Sequence, residues 1–217
     1  MRSVEELINN EDPGWPVVQE WIQHATNAVE VLAVDAEKGR DALYKTQVTT
    51  RSPMGAIVYS TGGIFIDHGW IRILGGGSPR LNRSLPEWNK GKGMPGYDQY
   101  AAYLLIADDA VGGYFALNGG GLGNDRGKIY YWAPDTQAWE SLDLSYSDFL
   151  GWCFGGDLND FYKGFRWQSW QDDVAKLDGN EVFNFFPLLF TAEGKDINKV
   201  SRKPMAVDEQ YRLNFEK

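Results

Sequence analysis

Residues 100–162 constrain the fold more than any other part of the chain, because short apolar runs alternate there with turn-forming residues. The runs are rich in β-branched and aromatic side chains, which is typical of β-strands. The turns between them contain Asp-Asp, Gly-Gly-Gly and Pro-Asp, which favour chain reversal. The pattern predicts a meander of antiparallel strands at residues 103–106, 114–117, 129–132 and 139–142.

Further strands are predicted outside this meander. They lie at residues 29–34, 56–59, 64–67 and 70–74. His68-Gly69 is read as a two-residue hairpin connection between the last two of these strands. The later segment EVFNFFPLLF is predicted to be an apolar strand or a buried extended segment, with an edge position or a bend at Pro187.

Helices are predicted on either side of the strands. Ser3 and Asp35 can cap N-terminal helices, and apolar residues recur at helical spacing between residues 148 and 177. The length of 217 residues and the hydrophobic content of 43% fit one domain. We therefore expect a single α+β domain over residues 1–217, with a largely antiparallel sheet of about six to eight strands covered by N-terminal and later helices.

Residues 75–98 differ in character from the strands around them, because they are rich in Gly, Pro, Asn and basic residues. The composition predicts a long loop. Loops longer than about 12–15 residues are uncommon in compact domains and tend to be functional or flexible. Trp88 lies within this segment and is a candidate aromatic contact for a partner.

The formal net charge of −9 restricts the partners that the chain can have. Nucleic acids and acidic membranes attract surfaces rich in Lys and Arg, and no basic stripe is visible. The sequence thus argues against nucleic-acid and membrane partners, and any protein partner is expected to be basic.

Cysteine usage and the absence of long apolar runs indicate the compartment. Cys153 is the only cysteine, so an intrachain disulfide is impossible and a reducing compartment fits. Its apolar neighbours indicate a small buried hydrophobic residue rather than a nucleophile. The chain begins without an apolar secretion signal and has no run of about 18 apolar residues. We expect a cytoplasmic protein.

Asp108 and Asp109 are the carboxylates that stand out for chemistry, because they are adjacent at a predicted strand end. With His68 they could supply the acid and base of a small hydrolase. Asp67 and His68 themselves favour a hairpin turn over catalysis, since neighbouring strand residues point to opposite faces. The Asp spacing does not match a calcium-binding loop, and two isolated histidines make no zinc site. We expect no metal and no cofactor.

Two groups of residues are candidates for binding. Aspartates at predicted strand-end turns could contact a basic protein: Asp108, Asp109, Asp125 and Asp135. Arg80 and Arg83 follow three glycines, whose backbone N–H groups can approach an anion, so this pair is a candidate anion site. The glycine runs match neither a phosphate-binding loop nor a dinucleotide fingerprint.

Several long segments of the chain resemble one bacterial family. They are EDPGWPVVQEW, VTTRSPMGAIVYSTGGIFIDHGWIRILGGGSPRL, LPEWN, ADDAVGGYFALNGG, KIYYWAPDTQAWESLDLSYSDFL, GDLNDFYKGFRW and FFPLLFTAEGKDI. Together they span nearly the whole chain and are similar to the family described as domain of unknown function 2625. The resemblance brings no activity, cofactor or catalytic residue with it.

A second resemblance covers residues 100–155. The order of strand, Asp-Asp-x-x-Gly-Gly, strand, turn, aromatic strand, Asp-Thr, strand and Ser-x-Phe-Leu helix is similar to the SUKH superfamily. That resemblance implies a shared fold and an immunity or regulatory binding role. The chain departs from the pattern upstream, where LPEWN stands in a loop-like context in place of a Leu-Pro-x-x-Tyr helix.

Two functions from different classes follow from these observations. The first is a non-catalytic binding module, immunity-like or regulatory, that recognises another protein through the open face of the sheet and residues 75–98. The alternative is a small hydrolase or ligand-binding enzyme that uses Asp108, Asp109 and His68. Titratable groups that converge in one pocket would favour the enzyme, and a flat aromatic and acidic surface would favour the binding module.

Overall fold

A seven-stranded antiparallel sheet forms the centre of the protein in the computed structural model, which describes residues 1–216. The strands lie side by side in chain order, and each pairs antiparallel with the next. Strands β1 to β7 are Val29–Leu32, Gly63–Ile66, Ile71–Leu74, Tyr103–Asp109, Tyr114–Asn118, Ile129–Ala133 and Ala138–Ser141. Turns rich in Asp, Gly and Pro join the last four strands.

Along the chain, helices precede the first strand of this sheet, separate some of its strands and follow its last strand. Asp35 starts one helix by accepting two backbone N–H bonds, and Ser145 with Asp148 forms a capping box at another. Within residues 1–216, helices α1 to α9 are Val4–Leu7, Trp15–Gln23, Ala36–Thr46, Pro53–Ser60, Leu85–Asn89, Tyr146–Gly155, Leu158–Phe161, Trp170–Val174 and Val207–Phe215. Strands β8 (Glu181–Phe186) and β9 (Ser201–Ala206) form a separate antiparallel hairpin. The predicted single α+β domain with a largely antiparallel sheet is confirmed.

Helices cover both faces of the sheet, because successive strand residues point alternately to one face and the other. On one face, Tyr114 of β5 packs against Tyr211 and Phe215 of α9. On the opposite face, Phe115 packs against Phe149 of α6. Strands β2, β3 and β6 are buried along their whole length. The prediction that the sheet has an open face is therefore wrong at the centre of the sheet, where helices cover both faces.

Two predictions of local structure are also wrong. Residues 56–59 belong to helix α4, because Ser52 caps that helix and Pro53 suits its first turn. The connection between β2 and β3 is longer than the predicted two residues, since Ile66 pairs directly with Ile71. The short apolar run in α4 suits a buried helix as well as a buried strand.

Residues 75–98, expected to be a long loop, contain helix α5 and pack into the protein. Ser84 caps this helix, and Pro86 lies in its first turn. At its end, the Asn89 side chain accepts the backbone N–H of Leu105 at 2.7 Å and donates to its carbonyl at 2.8 Å. The LPEWN sequence is thus a helix attached to β4, not a loop.

Candidate functional site

Asp108 is fully buried at the end of β4 and pairs with two arginines on one face of the sheet. Arg72 stands directly opposite on β3 and donates to it from Nε at 2.6 Å. Arg83 donates from Nη1 to the other carboxylate oxygen. Each arginine also donates to a backbone carbonyl, Arg72 to Glu181 at 2.7 Å and Arg83 to Gly179 at 3.0 Å. These charge-assisted bonds join the sheet to the β8–β9 hairpin.

Asp109 is also fully buried, but its hydrogen-bond donors are neutral. Its Oδ2 accepts the hydroxyl groups of Tyr131 at 2.7 Å and Tyr162 at 3.1 Å. Its Oδ1 accepts the backbone N–H groups of Val111 at 3.0 Å and Gly113 at 2.8 Å. Burial raises the pKa of the Asp109 carboxyl above its usual 3.8, and the hydrogen bonds oppose that rise. The carboxylate therefore fixes the turn between β4 and β5 to the helix-covered face.

This burial corrects two predictions about the paired aspartates. Neither Asp108 nor Asp109 touches solvent, so neither can dock a basic protein. They point to opposite faces of the sheet, as neighbours on a strand do. His68 is exposed in the β2–β3 turn, where its ring lies 6.3 Å from that of Trp170. Within residues 1–216 no hydrogen bond joins His68 to either aspartate, so the three residues of the hydrolase alternative do not converge.

The predicted turn at Asp67 and His68 is confirmed, since both residues adopt left-handed backbone with φ of 51° and 62°. The Asp67 side chain pairs with Arg166, whose guanidinium carbon lies 4.2 Å from the ring centroid of Trp170. Asp67 is thus engaged in an ion pair beneath aromatic rings, and it does not orient His68.

Asp125 and Asp135 lie at opposite ends of β6 and do not form one acidic patch. The hydroxyl groups of Tyr130 and Ser141 donate to Asp125, and these bonds lower the pKa of its carboxyl. Asp135 alone of the four predicted aspartates is exposed. It lies on a cavity of about 400 Å³ that Leu189 also lines.

Arg80 and Arg83 diverge, so the predicted two-arginine anion site is not formed. Arg80 lies on the surface and pairs with Glu30. Arg83 points inward to Asp108, and its guanidinium carbon lies 4.7 Å from the ring centroid of Trp88. Arg83 immediately precedes Ser84, the N-cap residue of α5.

Trp88 and Arg83 instead share a surface cavity of about 370 Å³, which we call the Trp88 cleft. Its lining includes Asn82, Arg83, Trp88, Lys92, Asn180 and Asp208. The cavity lies where α5 meets the junction of β9 and α9. Lys92 could not be singled out from the sequence, because only the folding of residues 75–98 onto this junction brings it to the Trp88 ring. The local signal is the Trp followed by lysines in LPEWNKGK.

A second surface feature follows strand β8. Phe186, Leu188 and Phe190 are 75%, 41% and 44% exposed, and we call these three residues the apolar segment. Leu189 between them is buried and lines the cavity that Asp135 also lines. The prediction of a strand is confirmed as far as Phe186; beyond it Leu188 and Phe190 are exposed, whereas Leu189 is buried. The chain bends at Pro187, where the sequence suggested a bend.

Residues 1–216 contain neither a candidate metal cluster nor a candidate membrane-spanning helix. No group of three or more His, Cys, Asp or Glu side chains in this part of the chain could hold a metal ion. No helix in the same range combines the length and apolar character needed to cross a bilayer. Cys153 is buried, and burial raises the pKa of its thiol.

The protein is an α+β protein whose central sheet is an antiparallel meander. Its buried carboxylates hold structural elements together, and aromatic and charged side chains line its surface cavities. The model of the family described as "Protein of unknown function DUF2625" matches residues 4–210, and the chain belongs to this family. The resemblance noted in the sequence is thereby confirmed.

Two relatives cover almost the whole chain. One, described as "Putative uncharacterized protein YbfG" from Escherichia coli, is 45% identical over 216 residues, which are 100% of this chain and 97% of the relative. Another, described as "Uncharacterized protein" from Haemophilus influenzae, is 43% identical over 215 residues, which are 99% of this chain and 94% of the relative. Neither description names a ligand or a reaction.

Proposed function

We propose that this chain is a non-catalytic binding module that recognises another protein through the apolar segment and the neighbouring turn at Asp135. The observation that carries the proposal is the exposure of Phe186, Leu188 and Phe190 within one short stretch. Single exposed apolar residues are ordinary, whereas a contiguous group marks an interaction surface.

The energetics favour a protein partner for this surface. Full burial of a large apolar side chain contributes roughly 1.5–3 kcal/mol, so covering three of them supplies a substantial part of the free energy of a protein complex. The cavity that Leu189 and Asp135 line gives a partner side chain a place to insert. Phe165 adds an aromatic ring to the same cavity.

Charge selects the partner in this proposal. The formal net charge of −9 attracts a protein with a positive surface, and Asp135 places one exposed carboxylate beside the apolar segment. Lys195 lines the same cavity, so the acidic character comes from the molecule as a whole rather than from this cavity alone. The partner is therefore a basic protein that presents apolar side chains.

The role of this binding is proposed to be immunity-like or regulatory, as the resemblance to the SUKH superfamily implies. Helix α5 supports that resemblance, because LPEWN forms a helix just upstream of β4, where the sequence alone suggested a loop. A cytoplasmic location belongs to the same proposal, and the single buried Cys153 supports it.

Affinity capture from cells that contain the protein tests this proposal with a matched pair of variants. The docking variant carries Leu188→Ser and Phe190→Ser, and the control carries Leu213→Ser, which removes an apolar side chain that is 58% exposed on α9. We expect the wild type and the control to retain one basic protein and the docking variant to lose it. Equal capture by the docking variant and the control would contradict the proposal.

Association kinetics with the captured protein then test the contribution of charge. Asp135→Lys should slow association and reduce its dependence on salt, because the negative charge next to the contact steers the encounter. Asp98→Lys, at an exposed position in residues 75–98, makes the same charge change away from the apolar segment and serves as the control. Equal rates for the two variants would show that Asp135 has no part in docking.

A further inference from the structure

The Trp88 cleft contains a lysine whose ammonium group donates no hydrogen bond within residues 1–216. The Lys92 side chain is only 14% exposed, and its Nζ lies 4.0 Å from the ring centroid of Trp88 and 5.1 Å from that of Tyr211. The nearest carboxylate oxygen, Oδ1 of Asp208, is 3.6 Å away, which is longer than a hydrogen bond. Lys92 thus forms a long ion pair with Asp208, but its ammonium N–H groups have no hydrogen-bond acceptor within residues 1–216.

The other polar groups of the cleft leave this position open. Asp208 is shared between two cations, since its second carboxylate oxygen pairs with Arg212. Arg83 donates from both terminal nitrogens to acceptors behind the cleft, while its Nε is buried without a hydrogen-bond partner in residues 1–216. The Asn82 side-chain amide, on the cleft lining, makes no hydrogen bond within the same range.

The charge of the cleft limits what it can accept. Lys92 and Arg83 are positive, but Arg83 is already paired with Asp108, and the carboxylates of Glu87 and Asp208 lie on the same cavity. A ligand with several negative charges would meet those carboxylates, whereas one negative charge matches the one ammonium group of the cleft whose N–H donors are unused within residues 1–216. Both carboxylates already have cation partners, so nothing in the cleft calls for a cationic ligand.

We propose that the Trp88 cleft binds a small molecule with one carboxylate and an apolar body. The carboxylate accepts hydrogen bonds from Nζ of Lys92 and from the Asn82 amide, and the apolar body packs against Trp88 and Val207. A volume of about 370 Å³ lies within the range of small-ligand pockets. This site is separate from the apolar segment, so it does not depend on the proposed protein partner.

Ligand-observed NMR and calorimetry with the full chain test the site, with 3-phenylpropanoate as the probe. The neutral isostere 3-phenylpropanamide and inorganic phosphate are the comparison ligands. We expect 3-phenylpropanoate to bind at least about tenfold more tightly than the amide, since only the acid can form charge-assisted hydrogen bonds with Lys92. Phosphate should not compete. Equal affinity for acid and amide, preference for phosphate, or no binding of 3-phenylpropanoate at millimolar concentration would overturn the proposal.

A pair of lysine variants assigns the contact. Lys92→Gln should lose about tenfold in affinity for 3-phenylpropanoate and keep its affinity for the amide, because only the charged acceptor is affected. Lys90→Gln is the control, since Lys90 is exposed and lies over Tyr97, 5.1 Å from that ring centroid, outside the cleft. Unchanged affinity in Lys92→Gln would overturn the assignment, and the comparison of acid with amide on the wild type stands even if this variant does not fold.

Discussion

Asp108 and Asp109 are neighbours on one strand, both fully buried, yet the protein compensates them in different ways. Asp108 sits between two guanidinium groups on the face that α5, α9 and the β8–β9 hairpin cover. Asp109 sits among two tyrosine hydroxyls and two backbone N–H groups on the face that α6 and α7 cover. The comparison shows that a buried carboxylate can be balanced by opposite charge or by neutral donors.

The two solutions differ in what happens when the carboxylate is removed. Without Asp108, two buried positive charges lose their shared counter-charge. Without Asp109, four neutral donors lose an acceptor, and the hydroxyl groups of Tyr131 and Tyr162 can rotate toward other arrangements. Loss of Asp108 should therefore be the more damaging change, although both residues look equivalent in the sequence.

The largest expected effect is that of Asp108→Asn. We expect the free energy of unfolding to fall by about 3–5 kcal/mol, because Arg72 and Arg83 remain buried without a carboxylate. Denaturant titration measures the change. Asp12→Asn is the control, since Asp12 and its partner Arg51 are both 69% exposed and this pair should contribute little. A loss for Asp108→Asn no greater than that for Asp109→Asn would break the comparison.

Asp109→Asn should have an intermediate effect of about 1–3 kcal/mol, since the amide oxygen can still accept the two backbone N–H bonds. The effect should depend on pH. Folding raises the pKa of Asp109 above 3.8, so the folded protein holds this proton more tightly than the unfolded chain does. The stability that this group contributes is full below pH 3.8 and is lost as pH rises through the folded pKa.

Denaturant titrations of the wild type and Asp109→Asn across this pH range measure that dependence. The free-energy difference between the two proteins should shrink as pH rises. Hydrogen bonds lower the pKa values of surface carboxylates such as Asp125 and Asp148, so these groups add stability as pH rises. Both proteins contain these carboxylates, so their contributions cancel in the difference between the wild type and the variant. A difference that grows as pH rises would mean that the Asp109 site favours the ionised carboxylate.

The smallest expected effect separates two buried tyrosines. Tyr131→Phe should cost about 1 kcal/mol, because it removes one hydrogen bond to Asp109. Tyr114→Phe should cost little or nothing, since the buried Tyr114 hydroxyl has no hydrogen-bond partner within residues 1–216. Thermal and denaturant unfolding of both variants check this order, and a greater loss for Tyr114→Phe would reverse it.

The sheet could be predicted from the sequence, because the β4–β7 region combines short apolar runs with specific turn residues. Helix α4 could not, since its apolar run is short and Ser52 and Pro53 decide between helix and strand. The structure of residues 75–98 could not be predicted for a related reason: their glycines and prolines suggest a loop, whereas the Ser84 cap and the contacts of Asn89 order the segment.

The roles of the aspartates could not be predicted, because their partners are remote in sequence. Asp108 meets Arg72 and Arg83 across separations of 36 and 25 residues, and Asp109 meets Tyr162 across 53. No local pattern records such contacts. Adjacent acidic residues at a strand end look like a surface turn until the residues on both faces of the sheet are known.

The turn between β4 and β5 ends in two glycines that are needed for different reasons. Gly112 has a φ of 85°, a conformation that favours glycine. Gly113 is needed for space, because a Cβ there would overlap the Tyr131 hydroxyl and the Asp109 carboxylate. An alanine at position 113 and a tyrosine at position 131 would thus compete for the same volume, so a residue of this turn and a residue of β6 constrain each other's size.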